Sequence, residues 1–245
     1  MTQFVRYTAL AGGIGILLGP ALYRVFDSPL SVSLGVLLLG AVTVVVGAIT
    51  TLGAALFGRA ASLDRRTLIL LGVGLCIGLL PLRFLVGAMN TPAIHDVTTD
   101  MENPPAFDRA KAFNSPGRTD YPGEEVASQQ RRAYPKIQPL ILSLSVNDAF
   151  ESALRVARES SWELLGVDVS SGMIEASEQT FWFGFTDDVV VRVRAQGEGS
   201  RVDVRSLSRV GVGDGGVNAR RVLCYLERLA EDYARGGRAG SLDSQ

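Results

Sequence analysis

The stretch from Leu30 to Phe57 carries no charged residue. About 20 consecutive apolar residues are enough for a helix to cross a bilayer core, so this segment alone predicts an integral membrane protein. Tyr7–Tyr23 is shorter and equally uncharged. Thr67–Leu82 is uncharged too, and the apolar run resumes beyond Arg83 as far as Met89. Three transmembrane helices are therefore expected within residues 1–90, at about 7–23, 30–57 and 67–89, with Arg83 close enough to a helix end to snorkel.

The arginines set an orientation. Residues 1–90 hold Arg6, Arg24, Arg59, Arg65, Arg66 and Arg83 against Asp27 and Asp64, a net +4; the whole chain is −1, which leaves −5 for the rest. Arg6, Arg59, Arg65 and Arg66 fall on one side of the spans, and the positive-inside rule puts that side in the cytoplasm. Three crossings then place everything after residue 90 on the periplasmic, or otherwise extracytoplasmic, side of the cell (inner) membrane. The first segment, with Arg6 ahead of an apolar core, also fits a signal peptide, although no small-x-small cleavage site follows it; cleavage would leave the domain on the same side. The acidic remainder argues against nucleic acid as a partner. No Asp, Glu or His lies within the spans, which argues against a pump or transporter.

Two small-residue stripes, Gly15-Ile-Leu-Leu-Gly19 and Gly74-Leu-Cys-Ile-Gly78, allow close helix approach, either within the bundle or as a docking face for another membrane protein. Cys76 and Cys224 fall in different parts of the chain and are not expected to pair.

Residues 91–138 show neither helical nor strand periodicity and are rich in proline, from Pro92 to Pro135, so an extended connector is expected there. It carries the chain's single histidine, His95. His95, Asp96 and Asp100, with Glu102 nearby, are candidate metal ligands or the seat of a hydrolase; the alternative is a polar loop whose Asp and Thr side chains cap turns. No nucleophile motif accompanies His95.

Residues 139–235 read as a soluble α+β domain of order β-α-β-β-β-β-α, an antiparallel sheet packed with two helices. Ser145-Val-Asn-Asp148 is a capping box, and Ala149, Phe150, Ala153, Leu154 and Ala157 follow at helical spacing. Val189–Ala195 and Arg201–Val210 flank a Gly-rich turn as a hairpin. Period-2 alternation puts Val191, Val193, Val202 and Val204 on the helix side and Arg192, Arg194, Arg201 and Arg205 on the other, with Asp203 to neutralise some of them. Phe181, Phe183 and Phe185 alternate toward the core, while Trp182 points the other way as an interaction anchor or into packing. A final helix runs from about Val217 to Arg235, and residues 236–245 read as a disordered tail.

Gly211-Val-Gly-Asp-Gly-Gly216 contains the letters G-x-G-x-x-G, but it follows a hairpin strand and no parallel strand comes after it, so no dinucleotide partner is expected. An anion site at this turn remains open, built from Arg205, Ser206, Ser208, Arg209, Asp214, Asn218 and Arg221 around a helix N-terminus. The competing reading is that Asp214 simply caps the helix.

Ile94-His-Asp-Val-Thr-Thr-Asp100, Pro104-Pro-Ala-Phe107, Ile174-Glu-Ala176, Phe185-Thr-Asp-Asp-Val189, Arg205-Ser-Leu-Ser-Arg-Val-Gly211 and Asp214-Gly-Gly-Val-Asn-Ala-Arg220 together resemble domain of unknown function family 1499, over roughly residues 93–230. The resemblance implies a bacterial or plastid-related origin and frequent attachment to N-terminal membrane helices. It implies no activity or cofactor. The leading expectation is thus a membrane-anchored extracytoplasmic domain serving as an interaction or accessory subunit of a membrane assembly, with the lipid bilayer and another membrane protein as partners. A small-anion binder at the Gly-rich turn, and an enzyme using His95, Asp96 and Asp100, are the alternatives.

Overall fold

The structure is a computed structural model that describes residues 2–57 and 64–242; at residues 2, 55, 80–86, 88 and 236–242 it describes the backbone alone. Arg59 lies outside the described residues, as does the Arg83 side chain. Two compact units emerge: Met1–Gly87 with Phe181–Gly184, and Ala88–Thr180 with Phe185–Gln245.

The first unit is built on helices α1 (Thr2–Phe26), α2 (Leu30–Leu56) and α3 (Arg65–Met89). Two stretches among the described residues, Gln3–Phe26 and Leu30–Ala54, are long and apolar enough to cross a membrane. Three such helices were expected, and among the described residues two meet the length and hydropathy required. α3 carries Arg65 and Arg66 in its first turn, and its uncharged run from Thr67 is interrupted at Arg83. Outward-facing side chains are themselves apolar: Leu17, Leu39 and Ile49 are each more than half exposed. A helix that is apolar all round is not the amphipathic helix of a soluble surface.

Glycines seat these helices against one another. A Cβ on Gly40 would lie 2.6 Å from the Ile16 amide nitrogen, and one on Gly19 would lie 2.6 Å from the Ser33 carbonyl. Gly15 faces the Gly40 Cα, Gly74 faces Ala9 and Gly78 faces Val44. Both stripes are therefore spent on packing inside the unit. Gly40→Leu is expected to wedge α1 from α2 and lower the thermal midpoint of the detergent-solubilised chain, an overpacking cost of about 1–3 kcal/mol. Gly35→Leu, where nothing lies within 4 Å, should leave it unchanged; equal melting of the two variants would refute the close approach.

The second unit is a six-stranded, wholly antiparallel sheet in the order β1-β6-β5-β4-β3. Its strands are β1 (Asp96–Thr98), β2 (Leu140–Leu142), β3 (Glu163–Asp168), β4 (Met173–Gln179), β5 (Thr186–Gln196) and β6 (Gly199–Ser208). β1 and β2 both pair with β6, the first along Arg205–Leu207 and the second along Ser200–Val202, so two short strands share one edge. Helices α5 (Val146–Glu159) and α6 (Val217–Leu242) pack on one face. Ser145 caps α5 as the box requires, accepting the Asp148 N–H and donating to its carboxylate at 2.7 Å. The main core joins Phe150, Leu154, Val222 and Leu229 to Val189, Val191, Val202 and Val204, the valine face expected from alternation.

The segment 91–138 is not an extended connector. It forms β1, a 3-10 helix (Arg109–Phe113) and α4 (Glu124–Ala133), and it covers the arginine face of the sheet. Phe107 and Ala110 pack there on Val190 and Leu207. Gln130 of α4 clamps β1 from outside, donating to the Thr98 carbonyl at 2.6 Å and accepting the Thr98 N–H at 3.0 Å. Prolines hid these elements because the segment's order comes from pairing with β6, not from local periodicity.

Two smaller expectations also change. β4 stops at Gln179, and a turn closed by Thr180 N–H to the Phe185 carbonyl (2.8 Å) ends the alternation. Phe181 is consequently 92% exposed rather than in the core. α6 continues to Leu242, past the expected end near Arg235; extending a formed helix through Gly236 and Gly237 costs only about 1 kcal/mol per glycine. Residues 243–245 lie outside the described residues.

Candidate functional site

The arginine face is organised by four carboxylates. Arg205 and Asp96 are 2% and 0% exposed, and the guanidinium meets the carboxylate in a two-pronged pair at 2.9 and 2.7 Å. Its remaining donors reach the carbonyls of Pro105 and Thr119, and the rings of Phe107 and Tyr121 lie 4.9 and 5.4 Å from it. A buried charge survives only when paired and hydrogen-bonded, and this one is. Further along, Asp100 and Asp203 together hold Arg192, Arg194 and Arg201 at 2.9–3.4 Å. The fourth carboxylate, Asp188, is fully buried; it takes the Nε and Nη2 edge of Arg209 at 2.7–3.2 Å and the Asn114 amide at 2.7 Å.

The residues expected at the Gly-rich turn therefore separate onto two faces. Arg205 and Arg209 stand on the connector side. Ser206, Ser208, Asn218 and Arg221 meet on the helix side. There Asn218 accepts from Ser206 at 2.7 Å and donates to Ser208 at 2.9 Å and to the His95 carbonyl at 3.1 Å. Arg221 donates to Ser206 and Asn218, and pairs with Glu178 and with Asp187 at 2.7 Å. Burial pushes the Asp187 carboxyl above its ordinary range despite that partner. The network stitches the start of α6 to β5 and β6.

Asp214 occupies the helix N-terminus itself. Its carboxylate accepts the Gly216 N–H at 2.8 Å and the Asn218 N–H at 2.7 Å. The amides that an external anion would need are thus taken by the chain's own carboxylate, which corrects the expectation of an anion site at this turn.

His95, Asp96 and Asp100 are not brought together either. Asp96 belongs to Arg205 and Asp100 to the arginine cluster. Among the described residues no group of three or more His, Cys, Asp and Glu side chains could hold a metal ion. His95 is half-buried; desolvation, then the charge of Arg118, lower its pKa from 6.5. A group held neutral in the fold but free to charge when unfolded costs stability as pH falls below its unfolded value. The urea midpoint should therefore drop as pH falls through 6.5, and His95→Gln should flatten that part of the profile; an unaltered slope would show that His95 does not contribute.

A cleft of about 270 Å³ lies at one end of β3, β4, β5 and β6. Phe113, Ser161, Glu163, Ser177, Gln179 and Arg209 line it. Register places Glu163 beside Ser177 and Gln179 beside Thr186, and the Arg209 N–H donates to the Thr186 carbonyl at 3.1 Å. Asp188 fixes one edge of Arg209, and the guanidinium lies 4.9 Å over the Phe113 ring. The Nη1 group makes no hydrogen bond among the described residues, so a rigid, pre-aimed donor stands at the cleft's rim. Sequence reading missed Ser161, Glu163, Ser177 and Gln179 because the turn before β3, β3 itself and β4 supply them from separate stretches of the chain, with no local motif.

The model of a family described as a protein of unknown function (DUF1499) matches residues 96–229. Among solved structures, CalU16 from Micromonospora echinospora is 13% identical, over 41% of this chain and 82% of that one, with a TM-score of 0.25. TTHA0849 from Thermus thermophilus is 12% identical, over 42% and 96% of the two chains, with a TM-score of 0.24. Both likenesses are too slight to define a common fold. No curated protein matches the chain.

Proposed function

The chain belongs to the DUF1499 family of proteins of unknown function, and from that membership we propose that it is a membrane-anchored, extracytoplasmic accessory subunit of a membrane assembly. The observation that carries this reading is the pair of apolar helices, Gln3–Phe26 and Leu30–Ala54, in one chain with the family domain. α3 completes the crossing as a packed companion of the other two. Supporting this, Arg6 donates to Asp64 at 2.7 Å and to Thr67 at 2.9 Å, which brings the starts of α1 and α3 together, and Gly74 and Gly78 seat α3 beside Ala9 and Val44. Arg6, Arg65 and Arg66 then share the cytoplasmic side, and the domain following α3 emerges outside. Native mass spectrometry of the full chain, gently extracted from its own membrane, should show a stoichiometric second protein; a chain recovered alone from several detergents would count against the assembly role.

A second reading follows from Arg209. Its fixed guanidinium and the surrounding hydroxyl and amide groups suit a small polar ligand that offers an acceptor to Nη1. The same spectra would then carry a small bound mass, lost in Arg209→Ala; a mass retained in that variant would place the ligand elsewhere.

A further inference from the structure

The turn between β4 and β5 reads Phe181-Trp-Phe-Gly184, with no charged residue from Thr180 to Thr186. It is pinched at its base by Thr180 N–H to the Phe185 carbonyl and by Phe185 N–H to the Thr180 hydroxyl, at 2.8 and 2.9 Å. Gly184, at φ +72°, supplies the left-handed residue that lets the chain return. These four residues belong to the helical unit. Trp182 packs against the cluster of Ile16, Ala41 and Val44; the Phe183 ring lies 6.2 Å from Tyr23; Arg24 donates to the Phe181 carbonyl at 2.9 Å.

The depth of that contact is informative. At a rise of about 1.5 Å per residue, Ile16 lies about 15 Å along α1 from its end at Phe26. Tyr23 and Arg24, near that end, are residue types that favour the membrane–water boundary. Exposed apolar side chains accompany them: Leu17, Val25 and Phe26 are 61%, 67% and 68% exposed, and Phe181 is 92% exposed. A carbonyl within a bilayer must be satisfied by protein, and Arg24 satisfies that of Phe181.

We propose that Phe181-Trp182-Phe183 is a lipid-inserted tip. The hairpin dips its aromatic side chains into the bilayer beside α1 and α2, Phe181 being covered by lipid at the acyl-chain and headgroup boundary. The inference rests on the membrane-anchor reading and adds a second, non-helical insertion to it. Lipid is the occupant because the tip's exposed side chain is apolar, like the outward-facing side chains of the helices it packs on, and the charge beside it, Arg24, is held on the Phe181 carbonyl.

The chain's two tryptophans make the test direct. Trp162 stacks on Tyr225 at 4.9 Å in the main core and serves as the internal reference. The full chain is reconstituted in phosphatidylcholine vesicles with or without acyl-chain bromination, and flotation checks that it is in the vesicles. In Trp162→Phe, which retains Trp182, brominated lipid should cut emission by about half or more; in Trp182→Phe the loss should be slight. Equal responses of the two variants, or an unquenched Trp182 in protein that floats, would overturn the lipid-inserted tip while leaving the anchor intact. Protein that fails to float would overturn the anchor and the tip together.

Discussion

Arg205→Ala is expected to destabilise the β-rich unit by about 3–5 kcal/mol, the largest effect of any single substitution proposed for it. The loss comes less from the attraction removed than from what stays behind. Asp96, 0% exposed, would keep a carboxylate with no cation, and the carbonyls of Pro105 and Thr119 would lose their donor. Lysine cannot rescue it: one ammonium cannot reproduce the fork that reaches Asp96 twice and two carbonyls besides, or lie flat between Phe107 and Tyr121. The informative comparison is Arg205→Met with Asp96→Leu. Removing both charges eliminates the unpaired carboxylate, so the double variant should recover most of the loss. Equilibrium urea unfolding of the detergent-solubilised chain, followed through Trp162, measures both. A loss under about 1 kcal/mol for Arg205→Ala would mean that the segment 91–138 is not held by this pair.

Glu175→Ala is expected to cost about 3 kcal/mol, though alanine suits a strand no worse than glutamate. Glu175 is 5% exposed and works on the 3-10 helix, not on its own strand: its two oxygens accept the N–H groups of Asp108, Arg109 and Ala110 at 2.9–3.1 Å. A side chain from β4 thus caps a helix about 65 positions away in sequence, where a carboxylate faces the positive end of the backbone dipoles. Glu175→Gln keeps one acceptor and should lose roughly half as much. Hydrogen exchange at residues 108–110 should accelerate in both variants. Because that helix ends at Phe113, under the Arg209 guanidinium, exchange at Arg209 should quicken as well. Unchanged exchange at 108–110 in Glu175→Ala would remove the capping role.

Both substitutions concern a segment whose order cannot be read along the chain. Asp96 and Arg205 are 109 positions apart, and neither neighbourhood marks the other as its partner. The same holds for the cleft, where Ser161 and Glu163, Ser177 and Gln179, and Arg209 come from three distant stretches of the chain. The signals at the Gly-rich turn were present in the sequence and belonged to two different faces. Successive residues of a strand point to opposite sides, so Arg205 and Ser206 could not share a site once β6 lay in a sheet with both faces covered. The metal candidates failed for a related reason: a carboxylate near a histidine in sequence was claimed by a cation from across the sheet.

By itself the sequence determined what short-range periodicity and end chemistry control. These were the uncharged runs that became α1 and α2, the capping box at Ser145 that starts α5, and the valine and arginine faces of the β5–β6 hairpin. It also determined family membership, through motifs spread across residues 96–229. Only the tertiary structure decided where each charge is neutralised, that residues 91–138 form the second cover of the sheet, and that the aromatic turn at Phe181 joins the helical unit. The physical reason is distance along the chain. Helical and strand patterns arise from neighbours a few residues apart, whereas a buried ion pair, a borrowed helix cap or a loop tip is settled by whichever distant partner offsets its desolvation.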